Sequence, residues 1–392
     1  MISEDEARRR ILQGIRPLPP RRISLACALN CFAAEDYLAR LPLPGFDNSA
    51  MDGYAVIASS YAPGRLKIIG EQPAGVDRRL RISAGEAVRI FTGAPVPAGA
   101  DAIVMQEDVT REGEEILINA EVTVADYIRR RGCDLAVGQK VVTRGECIRP
   151  TVLALLASQG LAELMVGGEV DVAILSTGDE LIRVGEQIQA GQIYESNSVL
   201  LRALLQRIGA TVRSSEHCSD QQEALRDAIQ RGIAQQILVI SGGVSVGQHD
   251  LVKSTLQSLG GEIDIWRVAI KPGKPFLFGR VGDCAVFGLP GNPVSAFVTC
   301  LQFVRPAVLK MMGASADELE LEKFVARLAV DVKNDGDRVH YLRGKLTDGN
   351  FTPVGRQESH ALFGLSQSNA LLRLAPGLEL KSGASVSVEI WD

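Results

Sequence analysis

The chain has 392 residues, too many for one small module and enough for two to four domains of about 100–200 residues each. Apolar residues make up 46% and charged residues 23%, near the average for soluble globular proteins and outside the disordered range. Forty-two Lys+Arg against 47 Asp+Glu give a net charge of -5, so no global positive field draws nucleic acid or anionic lipid, and an anionic ligand needs a local site.

Residues 3–15 read as a helix opened by a Ser3-x-x-Glu6 capping box and stopped by Pro17, Pro19 and Pro20, with residues 8–10 as a solvated face. A short helical stretch over 24–30 leads to an extended segment that ends in the Pro-rich residues 41–45. From Phe46 to Asp134, short apolar runs such as 102–104 and 115–118, separated by Gly/Pro turns, predict a β-rich domain. Residues 140–142 read as a strand and 151–158 as a helix.

From Val170 the pattern changes. Apolar strands at 172–175, 237–240 and 285–289 alternate with helical stretches at 198–208, 220–231 and 293–312, which predicts a parallel sheet covered by helices. Gly209 closes the first helix, Asp220-x-x-Glu223 suits a capping box on the second, and Asn292-Pro293 supplies a cap and an N1 proline for the third. After Gly313, turns at 334–336 and 348–350 punctuate a small β domain. The opening Met1-Ile2-Ser3-Glu4-Asp5-Glu6 has neither the basic nor the apolar region of a signal peptide, and no uninterrupted run of about 18 apolar residues follows; a cytoplasmic protein without membrane contact is expected. Its seven Cys include no CxxC pair and read as reduced core thiols, not a zinc site.

Three loops follow strand C-termini in the α/β segment: Ser176-Thr177-Gly178-Asp179-Glu180, Ser241-Gly242-Gly243-Val244-Ser245-Val246-Gly247 and Leu289-Pro290-Gly291-Asn292-Pro293. Ligands bind at that edge of an open parallel sheet, and glycines let backbone N–H groups close on phosphate oxygens. One such loop is usually only a turn; three together predict a phosphate or nucleotide crevice. Neither a Walker A lysine nor a GxGxxG after the first strand is present. Gly243-Val244-Ser245-Val246-Gly247 also fits a hydrolase nucleophile elbow, with His249, His340 and His360 downstream, which leaves a serine hydrolase as the alternative enzyme. Glu180 and Asp250 would both face a bound phosphate, and a divalent cation relieves that repulsion, since Mg²⁺ takes one or two carboxylates plus phosphates; the alternative is that Asp179, Glu180 and Asp250 are helix caps. Lys271-Pro272-Gly273-Lys274-Pro275 holds two lysines in a stiff turn, a clamp for a compact dianion or merely a solubilising surface.

These residues resemble the MoeA family of molybdopterin molybdenumtransferases, also found as the C-terminal part of the scaffold gephyrin. The resemblance covers the whole chain through PGFDNSAMDGYAV (44–56), RIFTGAPVPAGADAIV (89–104), STGDEL (176–181), SGGVSVG (241–247), KPGKP (271–275) and GLPGNPVS (288–295). It implies a multidomain fold: a discontinuous linker domain over 1–43 and 139–169, a β-rich domain over 44–138, a MogA-like α/β domain over 170–318 and a small C-terminal β-barrel over 319–392. Its implied activity is insertion of molybdate into the dithiolene of adenylylated molybdopterin, with Mg²⁺-dependent release of AMP. Family functional residues fall on Asp52, Thr92, Asp134, Glu180, Asp220 and Asp250, with Glu180 and Asp250 as metal ligands. Those at the substrate are Gly178, Gly242, Gly243, Ser245, Pro290, Gly291, Asn292 and Pro293, and those associated with the oxyanion are Lys271, Lys274, Arg343 and Ser359. A homodimer with the site shared between subunits is implied, as are transient contacts with other proteins of molybdenum cofactor biosynthesis; a gephyrin-like scaffold role is the non-catalytic alternative. Cys133 stands where the family usually has Glu, and Glu358 where Gly is common.

Overall fold

The computed structural model describes residues 1–60, 64–244 and 251–391. The chain divides into two compact units, one of Met1–Glu35, Thr143–Ala154 and Leu161–Asp392, the other of Asp36–Val142 and Leu155–Gly160.

The second unit is built on the predicted β-rich segment. Its six-stranded sheet runs Ala102–Met105, Gly53–Val56, Glu86–Ile90, Arg65–Gln72, Glu115–Ile118, Val109–Glu112. Alternation decides the faces: Tyr54 and Val56 join one apolar cluster with Leu66 and Val104, while Ala55 joins another with Val88, Ile90 and Ile103. Gly53 is fixed by close approach, since a Cβ there would lie 1.9 Å from the Val104 carbonyl oxygen. That contact explains the glycine of the Met51-Asp52-Gly53-Tyr54 motif.

In the first unit the opening helix spans Glu4–Gly14, and Ser3 Oγ accepts from the Glu6 N–H as expected. The Glu6 carboxylate does not complete the box; it pairs with Arg9 and Arg10. Arg8 leaves the predicted solvated face to meet Glu320 at 2.7 Å and the Leu319 carbonyl. Buried Glu4 docks the helix on C-terminal strands by accepting from the Tyr341 hydroxyl and from Arg373 Nε at 2.9 Å. The stretch expected as a helix over 24–30 shrinks to the single turn Leu25–Cys27 because Arg21–Ser24 is drawn out as a strand against Glu163–Val166.

The α/β sheet has six strands in the order Thr211–Cys218, Asp171–Thr177, Ile237–Ser241, Cys284–Leu289, Leu277–Val281, Glu262–Trp266. The first four are mutually parallel, and Leu277–Val281 runs antiparallel between its neighbours, so the sheet is mixed. Register places Ser176 opposite Ser241 and Ser241 opposite Leu289, so three strands end at one level. Helix Asn197–Arg207 covers one face with the core around Val172, Ile174 and Phe287; Gln222–Gly232 and Leu251–Ser258 cover the other around Leu175, Ile240 and Val286. The Asp220 capping box does not form: Gln221 is the cap residue, and Asp220 is engaged at the strand ends. Pro293–Met311, with a π-turn at Cys300–Val304, is long and apolar enough to cross a membrane, yet 89% of its apolar window is buried in protein, which makes it a core helix. All seven cysteines are free; Cys218, Cys284 and Cys300 are buried, whereas Cys27 and Cys133 are exposed, so the expectation of core thiols holds for only part of the set. Burial pushes the Cys284 and Cys300 thiols up to about 12.

Five C-terminal strands close a barrel: Val339–Thr347 pairs with Asn350–Pro353, which pairs with Glu322–Leu328, then Ser385–Ile390, then Ala370–Leu374, which returns to Val339–Thr347. Its interior holds Leu328, Phe351, Leu372 and Val388. The turn expected over 348–350 forms, and positive φ at both Asp348 and Gly349 makes it type I′. Buried Asn334 pins the other predicted turn by donating to the Arg338, Leu374 and Ala375 carbonyls. The strand Glu262–Trp266 ends before the KPGKP turn, and the two-residue strand Ile270–Lys271 pairs with the barrel, Lys271 opposite His340.

His340 is buried, and desolvation together with Lys271, Arg343 and Arg338 pulls its pKa down from near 6.5 to about 4. The unfolded chain therefore binds the extra proton first, and stability falls as pH drops from about 6.5 to about 4, by no more than about 3 kcal/mol. Denaturant melts across this range should show that slope in the wild type and a clearly smaller one in His340→Gln; equal slopes would refute it.

Candidate active site

Because the three strands end level, their loops converge on one cleft of about 590 Å³. Gly178, Glu180, Asp220, Gly242, Gly243, Pro290, Gly291, Asn292 and Pro293 all line it, as the sequence predicts. Gly242 has φ +94° and a Cβ there would sit 2.3 Å from the Thr177 carbonyl, so both the turn and the packing require glycine. Asn197, at the start of helix Asn197–Arg207, ties two loops together: its amide donates to Ser241 Oγ at 2.9 Å and to the Gly291 carbonyl at 2.7 Å. The His217 imidazole donates to the Gly178 carbonyl at 3.0 Å, which puts the proton on Nε2. Thr177 donates to Asp220, and the Asp220 N–H donates to Asp179 at 3.1 Å. Thus Asp179 and Asp220 brace the first loop, while the Glu180 carboxylate stays exposed in the cleft.

An adjoining pocket of about 450 Å³ holds Lys271, Lys274, Arg338 and Ser359, and shares Pro275, Pro290, Asn292 and His360 with the cleft. Asn292 makes no helix cap with its side chain; it donates to Ser359 Oγ at 2.9 Å, and the Ser359 carbonyl accepts from Val294 N–H at 3.1 Å. Arg343, which the resemblance associates with the oxyanion, stands behind the Ser359 loop. It is fully buried, and its guanidinium donates to the Glu358 carbonyl at 3.1 Å and to the Arg356 carbonyl, so it shapes the loop that presents Ser359 and does not line the pocket.

Asp52, Thr92 and Asp134 belong to the other unit. Thr92 donates to Asp52 Oδ1 through its N–H at 2.7 Å and its hydroxyl at 2.9 Å, which holds the exposed Asp52 carboxyl below the usual range. Exposed Asp134 follows exposed Cys133 in a turn where the Asp134 N–H donates to the Leu43 carbonyl. Ser245 and Asp250 lie outside the described residues. Among the described residues no three His, Cys, Asp or Glu side chains gather into a metal cage. The sequence singles out neither Asn197, His217 nor Arg338, and it offers His360 only as a hydrolase histidine; of these the Asn197 position, at a helix start just beyond a loop, carries a local signal.

The chain thus combines a mixed α/β domain that carries a glycine-loop cleft, a β-rich unit and a closed barrel. Family models match across the chain: "MoeA N-terminal region (domain I and II)" over residues 2–160, "Probable molybdopterin binding domain" over 173–310 and "MoeA C-terminal region (domain IV)" over 325–391. The chain is 36% identical to molybdopterin molybdenumtransferase of Haemophilus influenzae, with 99% of this chain and 98% of that protein covered. It is 35% identical to molybdopterin molybdenumtransferase 2 of Mycobacterium tuberculosis, with 100% of both covered. The solved molybdopterin biosynthesis MoeA protein of Pyrococcus horikoshii OT3 superposes with a TM-score of 0.84 at 27% identity, covering 100% of each chain. The chain belongs to the MoeA family and is a molybdopterin molybdenumtransferase, an enzyme of molybdenum cofactor biosynthesis. With that assignment the serine-hydrolase alternative falls.

Proposed function

We propose that the enzyme takes adenylylated molybdopterin and molybdate as substrates and releases AMP as molybdenum enters the dithiolene. The observation that carries this reading is the shared wall of Pro275, Pro290, Asn292 and His360 between a glycine-loop cleft and a lysine pocket. Backbone N–H groups of the loops around Gly178, Gly242, Gly243 and Gly291 receive the pyrophosphate, and Pro290 and Pro293 stiffen that wall. Lys271, Lys274 and the Ser359 hydroxyl receive the tetrahedral oxyanion, offsetting the repulsion it meets from phosphates next door.

The cleft suits Mg²⁺ in donor chemistry: Glu180 presents an exposed carboxylate where phosphates would lie, and Asp220 stands on the same wall, the sparse protein ligation this ion accepts beside phosphate oxygens. Asp250 is the second ligand implied by the family resemblance. When bound, the ion neutralises charge on the pyrophosphate as its bond breaks. We place the reaction in the cytoplasm, a setting consistent with seven free cysteines. Transient hand-over contacts with other proteins of the pathway fit a labile product.

Lys271→Ala combined with Lys274→Ala should raise the molybdate concentration for half-maximal AMP release about tenfold or more, as expected for losing two charge-assisted contacts, and leave adenylylated pterin affinity unchanged. Restoration at high molybdate supports the assignment; an equal loss of pterin-nucleotide affinity places the lysines on the phosphates instead.

We further propose a homodimer in which Asp52, Thr92 and Asp134 of one subunit serve the cleft of the other, supported by their exposure in a separately folded unit. Inactive Asp52→Ala and Glu180→Ala proteins, mixed after subunit exchange, should regain about a quarter of wild-type activity, the share of sites with both residues intact for random pairing. A fully active monomer in sedimentation would end this proposal.

A further inference from the structure

His360 is one of the few side chains that border both compartments, and it stands exposed between them. Its backbone is not free to drift. The preceding residue, Ser359, is held at both its hydroxyl and its carbonyl by Asn292 and Val294, and the His360 carbonyl accepts from the Leu362 N–H at 2.8 Å. The imidazole thus projects from an anchored turn at the passage between the lysine pocket and the glycine loops.

The chemistry of the passage calls for a proton carrier. When molybdate meets a dithiol, two Mo–S bonds form, two S–H bonds break, and one Mo–O bond breaks. The departing oxygen must collect both thiol protons to leave as water, and molybdenum stays hexavalent, so no oxidant or reductant enters. Of the side chains in the pocket, Lys271 and Lys274 face the oxyanion as counter-charges, Ser359 already receives the Asn292 amide, and Glu358 borders the lysine pocket alone, whereas His360 borders both compartments. Imidazole takes and gives protons readily near neutral pH.

We infer that His360 is a catalytic residue, carrying protons from the dithiol in the cleft to the oxygen that leaves the oxyanion in the lysine pocket. This assignment rests on the reading of the preceding subsection. His360 would act on the exchange at molybdenum, and Glu180 on the pyrophosphate.

The test follows molybdenum incorporation into the pterin under saturating molybdate, in the full-length enzyme. His360→Gln and His360→Ala should each lower kcat on the order of 10²-fold, with the KM for molybdate changed much less. Added imidazole should restore a substantial part of the His360→Ala rate and none of a Lys271→Ala defect. Wild-type rates in the Gln variant, or a folded Ala variant that imidazole fails to rescue, would overturn the role of His360. No molybdate-dependent incorporation by the wild type would instead overturn the underlying substrate assignment, and this inference with it.

Discussion

Everything at the candidate site depends on the register of three parallel strands. Ser176, Ser241 and Leu289 lie side by side, so the chain leaves the sheet three times at one height, each time into a glycine-bearing loop. A slip of one residue in any pairing would turn that strand's buried side chains to the opposite face. Val172 and Ile174 face one helical layer and Ala173 and Leu175 the other, so both apolar layers resist such a slip. Core packing, far from any ligand, thereby sets the shape of the cleft. Asn197 adds the polar lock, joining the second and third loops through one amide.

The second feature is charge separation over a short distance. A chain of net charge -5 brings Lys271, Lys274 and Arg338 into one pocket, and the barrel makes this arrangement possible. Strand Ile270–Lys271 pairs with Val339–Thr347, which places the KPGKP turn between the sheet and the barrel. His340, opposite Lys271, is buried and held neutral, so it adds no competing charge behind the lysines. Arg343 spends its guanidinium on backbone carbonyls of the loop that carries Ser359 and His360. The lysine pocket and the glycine-loop cleft therefore use different parts of the fold, and His360 borders both.

Much of this was legible in the sequence because the signals were local. Strand and helix alternation after Val170, the glycine loops, the N1 proline at Pro293 and the Asp348-Gly349 turn each report a backbone requirement that few other residues meet. Long motifs then carried the family resemblance, including Asp52 and Thr92, whose mutual hydrogen bonds the structure supplies. What sequence could not show is where a side chain goes once its neighbours compete for it. Asp220 looks like half of a capping box but is taken by Thr177. Arg8 looks solvated but finds Glu320, more than 300 positions away, and Arg343 is buried with its guanidinium on backbone carbonyls. The two loops that Asn197 joins, and the two compartments that His360 borders, are tertiary neighbours that no spacing rule predicts.

The central claim, that an oxyanion site lies beside a separate phosphate site, is tested most directly by anomalous diffraction from crystals grown with molybdate and with tungstate. One strong anomalous peak against Lys271, Lys274 and Ser359, outside the glycine-loop cleft, is the predicted result. A peak seated among Gly178, Gly242 and Gly291, with none beside the lysines, would contradict the account.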